Sequence, residues 1–181
     1  MFRPFEASSS KVEVDGRTVV AVLGGMMIRG VGLELLRKEG IVEPNGARWY
    51  NMQAWLNVFK RISERLGPDT LYSIGYRIPS AAAFPEEAMR DVASALQSID
   101  IAYHNAHRNG EIGCYEYSEQ QPGIYCVRCD NPYPCDFDLG IISALVDRFK
   151  GSTQYSVSHV AGPCRKRGGD ECRYHVMRLP K

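Results

Sequence analysis

What the chain lacks narrows its possible roles first. No run of eighteen apolar residues occurs among its 181 residues, which excludes a helix spanning a bilayer. Neither sign of charge prevails: 22 lysines and arginines stand against 21 aspartates and glutamates, a formal net charge of +1. No global field therefore draws the chain to nucleic acid or to an anionic membrane surface. Residues 1–10 lack the charged-then-apolar order of a secretory signal, so a cytoplasmic setting is expected. Gly24-Gly25, Gly30 and Gly32 miss the spacing of a phosphate-cradling loop and bring no lysine of the required kind. The four histidines, His104, His107, His159 and His175, sit in no nucleophile motif, which leaves hydrolytic catalysis without a footing. There is no internal repeat and no low-complexity segment.

What is present is cysteine in an unusual arrangement. Six occur, and five fall in two patches, Tyr125 to Asp136 and Pro163 to Val176. In a reducing compartment, grouped cysteines bind metal or do redox work more often than they form bridges. A structural zinc takes four ligands in a tetrahedron, commonly thiolate or imidazole. Cys129 and Cys135 flank a segment bent by Pro132 and Pro134, while Cys164 and Cys172 flank Gly168-Gly169. Together the four make a complete Cys₄ zinc site that clamps the start of a helix to the terminal hairpin. Cys126 with Cys129 is the competing ligand pair. An odd separation along a strand, however, points the two to opposite faces. Unligated thiols and an iron–sulfur cluster on the same four residues are the other readings. Arg165-Lys166-Arg167 reads as a solvated turn.

Periodicity supplies the scaffold. Val12-Glu13-Val14 and Arg17 to Leu23 read as a hairpin about Asp15-Gly16, followed by a short helix from Met26 to Glu39. Met52, Trp55, Leu56, Phe59, Ile62 and Leu66 mark one face of a helix over 51–66. A second helix begins at Pro68 and ends at Pro79. A third begins at Pro85 and carries Met89, Val92, Leu96, Ile99 and Tyr103 on one stripe. Strands are expected over 112–117, 123–128, 154–160 and 171–177, with a helix over 137–149 capped by Asp136 or Asp138. The expected fold is α+β, a helical layer packed on an antiparallel sheet. It is expected as one domain, 1–181: residues 1–50 the hairpin and short helix, 51–110 the helical layer, 111–181 the half carrying the cysteines.

The segment Cys135-Asp136-Phe137-Asp138-Leu139-Gly140-Ile141-Ile142, then Cys164-Arg165-Lys166-Arg167-Gly168-Gly169-Asp170-Glu171-Cys172-Arg173-Tyr174-His175-Val176, resembles the ending of the 4-vinyl-reductase domain family, a relative of the small TRAPP subunits. That resemblance implies a homodimeric, zinc-stabilised sensor or hydrocarbon-binding module, with Cys135, Cys164 and Cys172 matching the family's ligands. The remaining ligand can be a glutamate there; Cys129 takes its place here, with Glu116 or Cys126 as the alternative. An enzyme acting on a tetrapyrrole or hydrocarbon, or a protein–protein adaptor, is implied by the same kinship. A fainter likeness joins Gln97-Ser98-Ile99-Asp100-Ile101-Ala102-Tyr103-His104 to the proximal-histidine helix of haem nitric-oxide-binding domains. It implies a haem-based gas sensor with His104 as axial ligand. Glu116-Tyr117-Ser118-Glu119-Gln120 stands where those domains carry a tyrosine–serine–arginine motif, and lacks the arginine. For a hydrophobic or aromatic ligand, the expected lining is Trp55, Phe59, Tyr72, Tyr76, Phe84, Tyr103 and Tyr117, with Arg77 and His104 as orienting polar groups.

Overall fold

The computed structural model describes residues 2–26, 29–162 and 164–180. Strand β1 (Glu13–Asp15) lies where expected, but no hairpin follows it. The carboxylate of Asp15 accepts a hydrogen bond from the Arg17 amide at 2.7 Å and caps helix α1 (Gly16–Gly25). Asp-Gly satisfies a helix start as readily as a type I′ turn, and here the cap prevails. β1 pairs instead with β2 (Trp49–Asn51) and β3 (His107–Arg108), in the order β2-β1-β3. Helix α2 (Arg29–Lys38) begins later than expected: Met26 terminates α1, and residues 27 and 28 lie outside the described residues.

Three helices then form the layer. α3 (Met52–Arg65) is capped by Asn51, whose side chain accepts from the Ala54 amide, and it buries Met52, Trp55, Leu56, Phe59 and Ile62, whereas Leu66, expected on the same stripe, caps the helix and is exposed. α4 (Pro68–Arg77) opens on a proline that needs no intrahelical donor. α5 (Val92–Asn105) starts later than Pro85, because Asp91 and Ser94 supply a reciprocal capping box and residues 86–88 make only a 3-10 turn. The stripe Met89, Val92, Leu96, Ile99 and Tyr103 is buried as expected.

The carboxy-terminal half adds the larger sheet. β4 (Cys114–Gln121) and β5 (Ile124–Asp130) form a hairpin, α6 (Cys135–Phe149) follows, and β6 (Tyr155–His159) and β7 (Cys172–Arg178) close the chain. All pairings are antiparallel in the order β4-β5-β7-β6. Tyr115, Val127, Cys129, Cys172, Tyr174 and Val176 fill its inner face. Cys126, three residues before Cys129, lies outside this core and pairs with His175 across the sheet, as strand alternation demands. α6 packs most closely on α4. A Cβ added at Gly75 would stand 2.0 Å from the Phe137 carbonyl oxygen, and one at Gly140 would stand 2.2 Å from that of Tyr72. Two glycines thus let the helix backbones meet. Phe59 sits at the centre, edge-on to Trp55 at 5.0 Å and to Phe137 at 4.9 Å. Among the described residues no helix is long and apolar enough to cross a membrane. The architecture is α+β, helices against antiparallel sheet.

Candidate metal centre and adjoining cavity

Four ligand atoms converge where α6 begins and the last hairpin ends. Cys135, His159, Cys164 and Cys172 each place one within 4.8 Å of all the others. The sulfurs of Cys135 stand 3.4 Å from Cys164 and 3.1 Å from Cys172, with 3.8 Å between Cys172 and Cys164. A tetrahedron with bonds of ~2.3 Å to sulfur has edges of about 3.8 Å, whereas a disulfide needs about 2.05 Å. All three sulfurs are free. His159 Nε2 is buried with no hydrogen-bond partner, a donor atom left over for a metal.

Three of the four expected ligands meet here, and His159 joins them in the place assigned to Cys129. Cys129 is fully buried opposite Cys172 across the β5–β7 ladder but stands outside the group. The sheet order explains this. β7 separates β5 from β6, and the loop bearing Cys164 leaves from β6, so the group closes on the side of His159. Burial raises the Cys129 thiol well above its ordinary value, which keeps it neutral. Glu116 is bound to Arg128 on the sheet's outer side, and Cys126 lies beyond the group as well. The hydrogen bond with Cys172 pushes the Cys135 thiol up, and that same bond draws the Cys172 thiol down, aided by the charge of Arg165.

Arg165 is no solvated turn residue. It is 2 % exposed and ion-paired with the equally buried Asp138. Its guanidinium also reaches the Asn131 carbonyl and side-chain oxygens, while Tyr115 donates to the other Asp138 oxygen at 2.6 Å. Asp138, expected as a helix cap, instead carries the charge that lets an arginine be buried beside the thiols. Burial lifts its carboxyl to about 6, against the pull of Arg165 and Tyr115. Tyr174 donates to the Cys135 carbonyl at 2.7 Å and fixes the first turn of α6. An aspartate within the apolar run Phe137 to Ile142 was the available sign of this network.

On the other side of the same segment lies an apolar cavity of about 40 Å³, walled by Tyr133 and Phe137 together with Ile99, Ala102, Tyr103 and Ile141. Of the expected ligand-binding set, Phe84 and Tyr103 reach it, while the Tyr117 ring stands against that of Tyr125 at 5.9 Å between centres. Trp55 and Phe59 are core residues; Tyr72, Tyr76 and Arg77 lie on the outer part of α4, with the Tyr76 hydroxyl on Asp147. His104 is exposed, its Nδ1 bonded to the Asp100 carbonyl at 2.9 Å. His107 is the buried one, because it falls beyond the end of α5 and turns inward. Its Nδ1 donates to the Tyr103 carbonyl at 2.7 Å, and its Nε2 accepts from the Tyr133 hydroxyl at 2.8 Å. Burial lowers its pKa to about 4.

No protein-family model and no curated protein matches the chain, so the resemblance to 4-vinyl-reductase domains finds no support there. Solved structures do match. An H-NOX protein from S. oneidensis in its Fe(II)NO state is 16% identical with a TM-score of 0.67, over 92% of this chain and 99% of that one. An Fe(II) unliganded H-NOX protein from K. algicida is 14% identical with a TM-score of 0.62, over 92% and 97%. An oxygen-binding H-NOX domain related to soluble guanylate cyclases is 15% identical with a TM-score of 0.63, over 91% and 93%. The fold is therefore the H-NOX fold, in line with the fainter of the two sequence resemblances.

Haem does not fit the residues found here. Ligand pockets typically measure about 300–1,000 Å³, and this cavity is about 40 Å³. Axial ligation needs an imidazole nitrogen free to face the iron. Both nitrogens of His107 are engaged, and His104 stands outside the cavity. Tyr103 closes on His107 at 4.6 Å and on Tyr115 at 5.1 Å between ring centres, so aromatic rings pack against one another at this wall of the cavity.

Proposed function

We propose that this chain is a small-molecule sensor module of the H-NOX fold, pinned by a zinc ion on Cys135, His159, Cys164 and Cys172 and free of haem. The convergence of three sulfurs with an imidazole nitrogen that has no other partner carries this reading. Four protein ligands leave no open position for water, so such a zinc would hold the fold together rather than catalyse. The ligand side of the reading rests on the cavity and on the H-NOX likeness, whose members are described in NO-bound and oxygen-bound states. The proposed working form is a cytoplasmic homodimer of the whole 1–181 unit, with a mass in solution twice the chain's 20.3 kDa.

A haem-based gas sensor is the second reading, favoured by the fold likeness and opposed by the small size of the cavity. Elemental analysis and visible absorption of the purified protein separate the two. One zinc per chain without a Soret band supports the first reading. Iron with a Soret band establishes the second. Absence of both metals sinks the metal centre.

A further inference from the structure

The mismatch with haem leaves the cavity itself to be explained. Its polar neighbours are committed elsewhere. The Tyr103 hydroxyl donates to the Ile112 carbonyl at 2.5 Å, that of Tyr115 to Asp138, and that of Tyr133 to His107, whose second nitrogen holds the Tyr103 carbonyl. Thr18 also borders the cavity, but the surface that faces it is apolar throughout. A buried water needs about two to four polar partners, and a cavity without them stays dry. The volume of about 40 Å³ exceeds the ~10–15 Å³ that a water requires. It falls well short of an engineered cavity of about 150 Å³ that accepts benzene.

From these limits we infer that the cavity is a binding site for a single uncharged apolar molecule, larger than water and smaller than benzene, such as xenon or a short hydrocarbon, held by contact with carbon alone. This names the ligand class of the sensor reading and rests on that reading for its role, though not for its occupancy. The wall it would press on includes Tyr133 and Phe137, which stand two residues either side of Cys135.

Xenon is the probe. Under xenon pressure, the methyl resonances of Ile99 and Ile141 in the full chain are expected to shift and to saturate. Ala82→Leu fills the cavity from the half-buried loop side and should reduce that saturable shift at least tenfold; Ile99→Val leaves the fold in place, adds room and should strengthen it. No saturable shift at those methyls in the haem-free wild-type protein overturns the inference, as does an undiminished shift in a folded Ala82→Leu protein. A Soret band in the purified protein would instead overturn the haem-free sensor reading, so the two failures are told apart.

Discussion

One five-residue segment, Tyr133 to Phe137, borders two places of opposite chemistry. On one side Cys135 meets two sulfurs and an imidazole beside a buried ion pair. On the other, Tyr133 and Phe137 face carbon. The ligand group fixes positions through a few strong, directional atoms. The cavity exists because ring edges and small side chains leave a gap that no polar group claims. The two places therefore share one wall, Tyr133 to Phe137.

The sharpest way to break this contrast is to remove the donors of the proposed zinc. Structural zinc contributes about 10–16 kcal/mol of binding free energy in small domains. Cys172→Ser is expected to abolish stoichiometric zinc in a competition titration, while Cys129→Ser keeps it; equal loss in both would place Cys129 among the ligands. Next in size is the ion pair supporting the knot. Leaving one buried charge unpartnered costs about 3–5 kcal/mol, so Asp138→Asn should lose that much in denaturant unfolding, and Asp138→Asn with Arg165→Met should lose less than Asp138→Asn alone.

The cavity side is tested by acid. His107 keeps its proton off in the fold until about pH 4, against an ordinary 6.5. The unfolded chain therefore takes up the proton first as pH falls. The stabilisation is complete above pH 6.5 and is lost between 6.5 and about 4, amounting to about 3 kcal/mol. His107→Gln should flatten that part of the stability–pH curve measured by urea unfolding; an unchanged slope would show that His107 does not cause it. The smallest expected effect lies at the helix crossing. Gly75→Ala drives a methyl into the Phe137 backbone and should cost about 1–3 kcal/mol, read as a lowered melting temperature.

The same contrast decides what could be read before folding. Cys135, Cys164 and Cys172 announced themselves because they are grouped in sequence and their loops carry Pro and Gly punctuation. His159 did not, since one histidine in a strand looks like any other until β6 lies beside β7. Helices α3, α4 and α6 were legible from apolar spacing and first-turn residues. The small sheet was not, because β1 finds its partners 34 or more residues away, at Trp49–Asn51 and His107–Arg108, and Asp15-Gly16 serves a cap as well as a turn. The expected aromatic pocket misplaced Trp55 and Phe59 for a related reason: a core stripe and a ligand wall have the same periodicity, and only the gap left between elements distinguishes them.

X-ray absorption at the zinc edge of the purified protein tests the central claim most directly. Three sulfurs at about 2.3 Å and one nitrogen at about 2.0–2.1 Å are the expected shell, with no iron signal alongside. Four sulfurs, or iron in a porphyrin in place of zinc, would contradict it.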